Sequence, residues 1–358
     1  MALALALGAR GQGNTSPNPA VGCVIVQGGR IVGRGWTQPG GRPHAEVAAL
    51  TQAGDAAKGA DVYVTLEPCA HHGKTPPCAE ALVAAGVKRV IYAVGDPDPR
   101  VAGEGAAILK RAGIEVVSGV LEDEAARAHA GFFSRLKDGR PLCTLKLATS
   151  FDGRIATATG ESQWITGPDA RRAVHGLRAR HDGILVGAGT ARADDPQLTV
   201  RGRGDTHQPV RIVASRRLDI PLTGKLVATA REAPVWLVHG EDASADLRAA
   251  WDGLGARLIP VGLAGRQLDM VQMMQALGAA GLNTVFCEGG GALAASLLDA
   301  GQVDCLVGYT AGIALGAEGQ PAIGAMGLDR LAQAPRFSLE SSRRIGADIE
   351  HVWRRSAP

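Results

Sequence analysis

The sequence predicts an α/β fold in two successive domains. Three observations carry that expectation. Apolar runs of strand length alternate with helix-like segments through most of the chain. A polar, turn-forming run, Lys137-Asp138-Gly139-Arg140-Pro141, interrupts the alternation, which then restarts. The length, 358 residues, is long for one hydrophobic core and ample for two. The boundary is placed in the polar run, with a first domain over 1–139 and a second over 140–358.

Each element follows from local pattern. Residues 1–8 are an Ala/Leu run ended by glycine, which reads as a short helix. They lack the positive start and cleavage site of a signal peptide. Residues 21–26 and 30–35 are apolar strands joined through Gly28-Gly29 as a hairpin. Pro43 opens a helix over 44–53, and Pro76-Pro77 leads into another over 78–85 that Gly86 ends. Strands are expected over 61–66, 89–94 and 114–117, and helices over 102–112 and 122–136. The second domain should hold strands at 142–148, 183–186, 210–214, 235–238 and 284–287. Its helices are expected at 168–180, 268–279 and 292–299.

Composition narrows the function classes. Hydrophobic residues at 46% and charged residues at 20% suit a globular chain in water. A net charge of +3 and 4% aromatics argue against nucleic acid or an anionic membrane as partner. No run approaches the roughly 18 apolar residues of a membrane span. Six cysteines without a secretory signal point to metal binding or burial rather than disulfides, and to the cytoplasm.

Three fragments carry chemistry: Pro43-His44-Ala45-Glu46, Glu67-Pro68-Cys69 and Pro76-Pro77-Cys78. A catalytic zinc takes three protein ligands and keeps a fourth position open. His44, Cys69 and Cys78 supply one imidazole and two thiolates. Glu46 supplies the carboxylate that a hydrolytic deaminase needs to move protons from water to ring nitrogen and leaving ammonia. Positions 44 and 46 would point to nearly opposite faces of a regular helix, so both must sit in its irregular first turn. The usual spacing is P-C-x-x-C, but here eight residues separate the cysteines. Two other readings stand beside this one. The cysteines are also compatible with plain core packing, or with a structural zinc completed by His71 or His72.

Ser16-Pro17-Asn18-Pro19-Ala20-Val21-Gly22, the Pro43–Glu46 fragment and the stretch from Thr65 through the long loop to Cys78 closely resemble the bifunctional riboflavin-biosynthesis deaminase/reductase family. The long loop is typical of that family. The resemblance implies a cytidine-deaminase-like α/β/α domain followed by a dihydrofolate-reductase-like α/β domain. The implied first reaction is hydrolytic deamination of 2,5-diamino-6-ribosylaminopyrimidin-4(3H)-one 5′-phosphate, with Asn18, His71 and Lys74 on the substrate. The second is reduction of the ribosyl group of 5-amino-6-(5-phosphoribosylamino)uracil to ribityl. The implied cofactors are Zn2+ and NADPH.

The second half supports the resemblance through Lys146–Arg154 and Gly160-Glu161-Ser162-Gln163-Trp164-Ile165-Thr166. No G-x-G-x-x-G follows a strand, so a standard dinucleotide site is not expected. Glu288-Gly289-Gly290-Gly291 instead joins a strand to a helix, where bare backbone can approach a pyrophosphate. The resemblance implies NADP contacts at Ala148, Trp164, Thr190, Asp194, Ser215, Arg216, Gly290, Gly291, Ala292, Leu293, Ala294, Ala295 and Ser296. It implies substrate contacts at Ser162, Arg178, Leu198, Arg201 and Glu288. Lys146, Asp194 and Glu288 are candidates for the reductase's polar centre: carboxylates for cationic character at C1′, an ammonium as proton donor. Family members often carry Asp where this chain has Ala214, and the following Arg216 and Arg217 are expected to favour a 2′-phosphate. Partners are expected to be small phosphorylated pyrimidines, with no nucleic acid and no membrane, and a homo-oligomer is expected. The competing reading is a nucleic-acid-editing zinc deaminase with an accessory domain.

Overall fold

The computed structural model describes residues 1–73, 76–98, 102–204 and 206–356. The chain divides into two compact units, Met1–Gly139 and Arg140–Pro358.

The first unit is built on strands β1 (Gly22–Gln27), β2 (Arg30–Trp36), β3 (Asp61–Leu66), β4 (Arg89–Val94) and β5 (Glu115–Ser118), in the order β2-β1-β3-β4-β5. β1 is antiparallel to both neighbours, while β3, β4 and β5 run parallel. Alternation along β1 sends Cys23 and Ile25 into the main core and Val24 to the opposite face. There Val24 meets Ala4 and Leu7 of helix α1 (Ala2–Gly8). Helix α2 (Ala45–Ala53) covers the other face and lies directly on β2. A Cβ at Gly33 would sit 2.3 Å from the Ala49 carbonyl oxygen, and one at Gly35 2.1 Å from that of Ala45. The Gly-Arg-Gly of β2 and the alanines of α2 thus set how deeply the first turn of α2 is pressed into the sheet. Helices α3 (Cys78–Ala84) and α4 (Glu104–Arg111) follow.

The helix expected over 122–136 is two helices, α5 (Glu122–Ala128) and α6 (Ala130–Asp138). The break is at His129, whose backbone leaves helical geometry at φ −99°, ψ 4°. Its ring is buried and its Nε2 pairs with Thr65 Oγ1 at 3.1 Å. A tertiary contact therefore overrides a continuous helical pattern.

The second unit has strands β6 (Leu142–Thr149), β7 (Arg154–Ala156), β8 (Gly183–Gly187), β9 (Val210–Ala214), β10 (Val235–Gly240) and β11 (Arg257–Val261). After these come β12 (Leu263–Ala264), β13 (Gln267–Leu268), β14 (Thr284–Cys287), β15 (Cys305–Thr310), β16 (Gln320–Pro321), β17 (Phe337–Ile345) and β18 (Asp348–Arg355). Nine of them form one sheet, β11-β10-β9-β8-β14-β6-β15-β18-β17, parallel as far as β15 and antiparallel at the β18–β17 end. Both faces are apolar and covered: Leu185 of β8 enters one core, Ile184 and Val186 the other. The helices are α7 (Pro168–Arg178), α8 (Ala188–Asp194), α9 (Lys225–Ala228), α10 (Ala245–Gly253), α11 (Met270–Ala279) and α12 (Gly291–Asp299). Asp269 caps α11 by accepting from the Val271 and Gln272 amides, which starts the helix two residues later than expected. No described helix is long and apolar enough to cross a membrane.

Candidate functional site

In the first unit, His44 is the residue before α2, with extended backbone at φ −69°, ψ 160°. Glu46 is the second helical residue and is 4% exposed. The conflict posed by a spacing of two is resolved this way: His44 lies outside the helix, so its ring and the Glu46 carboxylate reach the same spot. Cys69 follows the end of β3, and Cys78 is the first residue of α3, after Pro77. The three ligand atoms lie within 4.8 Å of one another. His44 Nδ1 is 3.3 Å from Cys78 Sγ and 3.7 Å from Cys69 Sγ, and the Cys78 amide donates to Cys69 Sγ at 3.3 Å. Zinc bonds of about 2.0–2.3 Å in tetrahedral array require ligand atoms roughly 3.5–3.8 Å apart. The donor set and its spacing fit that ion.

Electrostatics agree with this. The Cys69 thiol is pushed down to about 4, chiefly by a hydrogen bond from Cys78 and then by His44, so it is a thiolate at neutral pH. Glu46 is pushed up to about 7 by burial and by the negative Cys69. A carboxyl in that range can both take and return a proton.

The loop around these ligands is held by residues that the sequence reading passed over. Glu67 is buried and accepts from the Gly103 and Ala106 amides, both at 3.1 Å, capping α4 from a distance. Thr65 accepts from the Gly22 amide at 3.1 Å while pairing with His129. Their signal was present in Thr65-Leu66-Glu67-Pro68-Cys69, but nothing local showed what the side chains would meet. Asn18 Nδ2 donates to the Gly41 carbonyl at 3.0 Å, fixing the amide beside the turn that leads to His44. His71 Nδ1 is buried and has no hydrogen-bond partner among the described residues. His72 is turned outward onto Glu80 at 3.1 Å, so it does not complete a four-ligand structural site. Lys74 lies outside the described residues.

In the second unit a cavity of about 1090 Å³ opens along the strand ends. Its lining includes Lys146, Ala148, Ser162, Trp164, Arg178, Thr190, Asp194, Arg201, Ser215, Arg216, Glu288, Gly290, Gly291, Ala292, Leu293 and Ser296. Three residues expected there are not among them. Leu198 is 2% exposed in the core, Ala294 is fully buried against the sheet, and Ala295 is 6% exposed and lines a smaller adjoining cavity with Gly291, Ala292 and Ser296. On a helix, position 294 points away from 292 and 296, whereas Ala295 shares their face.

At the cleft floor Glu288, just beyond β14, accepts from Arg178 Nε at 2.5 Å and lies 3.9 Å from Lys146 Nζ on the adjacent β6. Burial alone would raise the Glu288 pKa, but Arg178 and Lys146 outweigh it and hold it below its ordinary value. Burial pushes Lys146 down and Asp194 up. Arg178 Nη1 also donates to the Thr199 carbonyl at 3.0 Å. One turn earlier on α7, His175 Nδ1 accepts the Arg201 amide at 3.2 Å. His175 was missed, although its place three residues before Arg178 puts it on the same face. Arg171 stacks on the exposed Trp164 ring at 4.6 Å from its centre. The glycine run turns the chain from β14 into α12, and the Gly290 amide donates to Thr190 Oγ1 at 3.2 Å. Bare backbone and helix N–H groups at one wall suit a pyrophosphate.

At the far end, Ser215 Oγ donates to Asp219 Oδ1 at 3.1 Å, so a carboxylate stands beside this serine although Ala214 carries none. Arg216 does not point freely into the cleft. Its Nε and Nη2 donate to Asp242 Oδ2 at 3.1 and 2.6 Å, and its Nη1 donates to the Arg266 carbonyl at 2.8 Å.

Comparison with known proteins gives concordant results. Residues 1–94 match the cytidine and deoxycytidylate deaminase zinc-binding region, and residues 141–350 match the RibD C-terminal domain. The riboflavin biosynthesis protein RibD of Escherichia coli K12 is 44% identical over 361 residues, covering 98% of this chain and 96% of its own. The crystal form 1 structure of Acinetobacter baumannii RibD superposes with a TM-score of 0.89 at 40% identity, covering 99% of this chain and 98% of its own. A Thermotoga maritima diaminohydroxyphosphoribosylaminopyrimidine deaminase/5-amino-6-(5-phosphoribosylamino)uracil reductase gives 0.86 at 31% identity, covering 99% and 97%. A metal-ligand triad beside a buried glutamate, a separate cleft with a buried Lys–Glu–Arg cluster, and relatives matched end to end lead to one conclusion: the chain belongs to the RibD family of bifunctional deaminase/reductases of riboflavin biosynthesis.

Proposed function

We propose that the two reactions of this family are divided between the two units. The unit Met1–Gly139 carries out the hydrolytic deamination of 2,5-diamino-6-ribosylaminopyrimidin-4(3H)-one 5′-phosphate, and Arg140–Pro358 the NADPH-dependent reduction that follows. The observation that supports this most is the His44–Cys69–Cys78 cluster with Glu46 buried beside it.

In the first site, His44, Cys69 and Cys78 would hold the zinc ion. Bound there, zinc supplies Lewis acidity that makes water a nucleophile at neutral pH. Glu46 takes the proton from the attacking water and returns it to the ring nitrogen and the departing amino group. Water is consumed and ammonia released, with no net change at Glu46. Asn18 orients the pyrimidinone edge, and His71 and Lys74 take the 5′-phosphate.

In the second site, NADPH supplies a hydride. The glycine wall and the start of α12 would hold its pyrophosphate, and Trp164, Ala148 and Thr190, which line the same cleft, would contact the rest of it. Glu288 and Asp194 stabilise positive character at C1′ of the opened sugar. Lys146 provides the proton, and its lowered pKa makes it a better acid. Arg178 and Arg201 grip the substrate phosphate, with Ser162 beside them.

The unpaired state of all six cysteines supports work in the reducing cytoplasm. The weak net charge supports small-molecule substrates over nucleic acid. Exposure of Phe151 at 80% and Leu331 at 84% supports self-association. Incubating the purified chain with the diamino substrate tests the main assignment by mass spectrometry. Without NADPH the product should be the deaminated ribosyl compound, and with NADPH the ribityl compound. Release of ammonia only when NADPH is present would overturn it.

A further inference from the structure

The end of the reductase cleft beside Ser215 holds four arginines and two aspartates: Arg192, Arg216, Arg217, Arg266, Asp219 and Asp242. Two pairs close among them. Arg192 meets Asp219 at 3.0 Å, and Arg216 meets Asp242 at 2.6 Å. Arg217 and Arg266 are exposed, line the cleft, and make no ion pair among the described residues. A local surplus of two positive charges therefore faces the cavity. It matches a phosphomonoester, which carries about −1.5 to −2 at neutral pH.

Arg216 is poorly placed to meet such a group. Its donors serve Asp242 and the Arg266 carbonyl, and a phosphate would have to displace a carboxylate already bonded through two nitrogens. That second bond fixes the tip of the β12–β13 hairpin, where Gly265 turns at φ +62° and Arg266 follows. The guanidinium of Arg216 thus ties the backbone of Arg266 to Asp242 and sets where the Arg266 side chain stands.

We propose that Arg217 and Arg266 form the receptor for the 2′-phosphate of NADPH, and that Arg216 is a positioning residue that holds the Arg266 hairpin in place. This rests on the reading that the cleft binds NADPH with its adenosine beside Ser215. Asp219, next to Ser215, suits the ribose hydroxyls, and its pairing with Arg192 limits its repulsion of the phosphate.

The test is titration calorimetry on the full chain with NADPH, NADH, 2′,5′-ADP and 5′-AMP. Arg217→Ala and Arg266→Ala should each weaken NADPH and 2′,5′-ADP roughly tenfold, the scale of a charge-assisted contact, and leave NADH and 5′-AMP within about twofold. Arg266→Lys should restore part of the loss. Arg216→Ala should weaken NADPH in the wild-type background but add nothing in an Arg266→Ala background, because it acts through Arg266. A double Arg217→Ala, Arg266→Ala chain that keeps its NADPH preference overturns the proposal while leaving the cleft assignment intact. So does a further loss of preference when Arg216→Ala is added to Arg266→Ala. A wild-type chain that binds none of the four nucleotides removes the cleft assignment itself, and the proposal with it.

Discussion

Replacing Glu288 by Gln should separate the two activities and measure the buried charge cluster at the same time. The carboxylate has only 9% of its surface exposed and faces two cations, Arg178 at 2.5 Å and Lys146 at 3.9 Å, which are themselves only 13% and 18% exposed. At the effective dielectric that suits protein sites, one charge pair near 4 Å is worth about 4 kcal/mol. Glutamine keeps the shape and removes that attraction, so two buried cations are left facing each other. Breaking a buried pair in this way costs about 3–5 kcal/mol. Lys146 relieves the strain by losing its proton, since burial and Arg178 already lower its pKa and Glu288 opposes them. The protein should therefore unfold at lower urea in the transition that belongs to Arg140–Pro358, and the reductase should lose both its electrostatic stabiliser and its proton donor. Ammonia release should continue at the wild-type rate. Urea unfolding followed by tryptophan fluorescence, with separate assays of ammonia and of NADPH oxidation, reads all three. A Glu288→Gln chain with stability within about 1 kcal/mol of wild type and an active reductase would refute the buried-cluster reasoning.

Other outcomes follow from the same structure. Glu46→Gln should keep about one zinc per chain and reductase activity, while deamination falls roughly 100-fold or more; near-normal ammonia release would remove Glu46 from proton transfer. Cys69→Ser and Cys78→Ser should each lose most of the zinc by metal analysis, and full retention in both would mean the ligands lie elsewhere. Asp194→Ala should release ammonia normally and accumulate the ribosylamino-uracil, whereas a block of both steps would show that the sites are coupled. His129, buried against Thr65, is pushed down to about 4 from an ordinary value of 6.5. The unfolded chain then binds the extra proton between those pH values, so the stability His129 contributes is present above 6.5 and is lost as pH falls toward 4. Comparing urea unfolding at pH 7 and pH 5, the advantage of wild type over His129→Gln should shrink by about 2 kcal/mol, and equal slopes would contradict the burial argument.

The sequence by itself determined the strand–helix rhythm, the zinc triad with its glutamate, and the family. These rest on local chemistry: apolar periodicity, proline and glycine punctuation, and ligand types at fixed spacing around Cys69 and Cys78. It did not reveal β17, whose residues are almost all exposed and carry no apolar period, or the break at His129, which a distant threonine dictates. The family resemblance implied contacts at Leu198 and Ala294, and the folded chain buries both side chains in the cores. By sequence alone Arg216 and Arg217 are equals. Only the folded chain shows that Asp242, 26 residues beyond Arg216, hydrogen-bonds that guanidinium and not the one of Arg217, and that Arg266 reaches the same cleft from a hairpin. Spacing can say that two cations are adjacent along the chain. Whether a cation is free to meet a ligand depends on which carboxylates the fold brings within hydrogen-bond reach, and those partners come from segments that no local pattern connects.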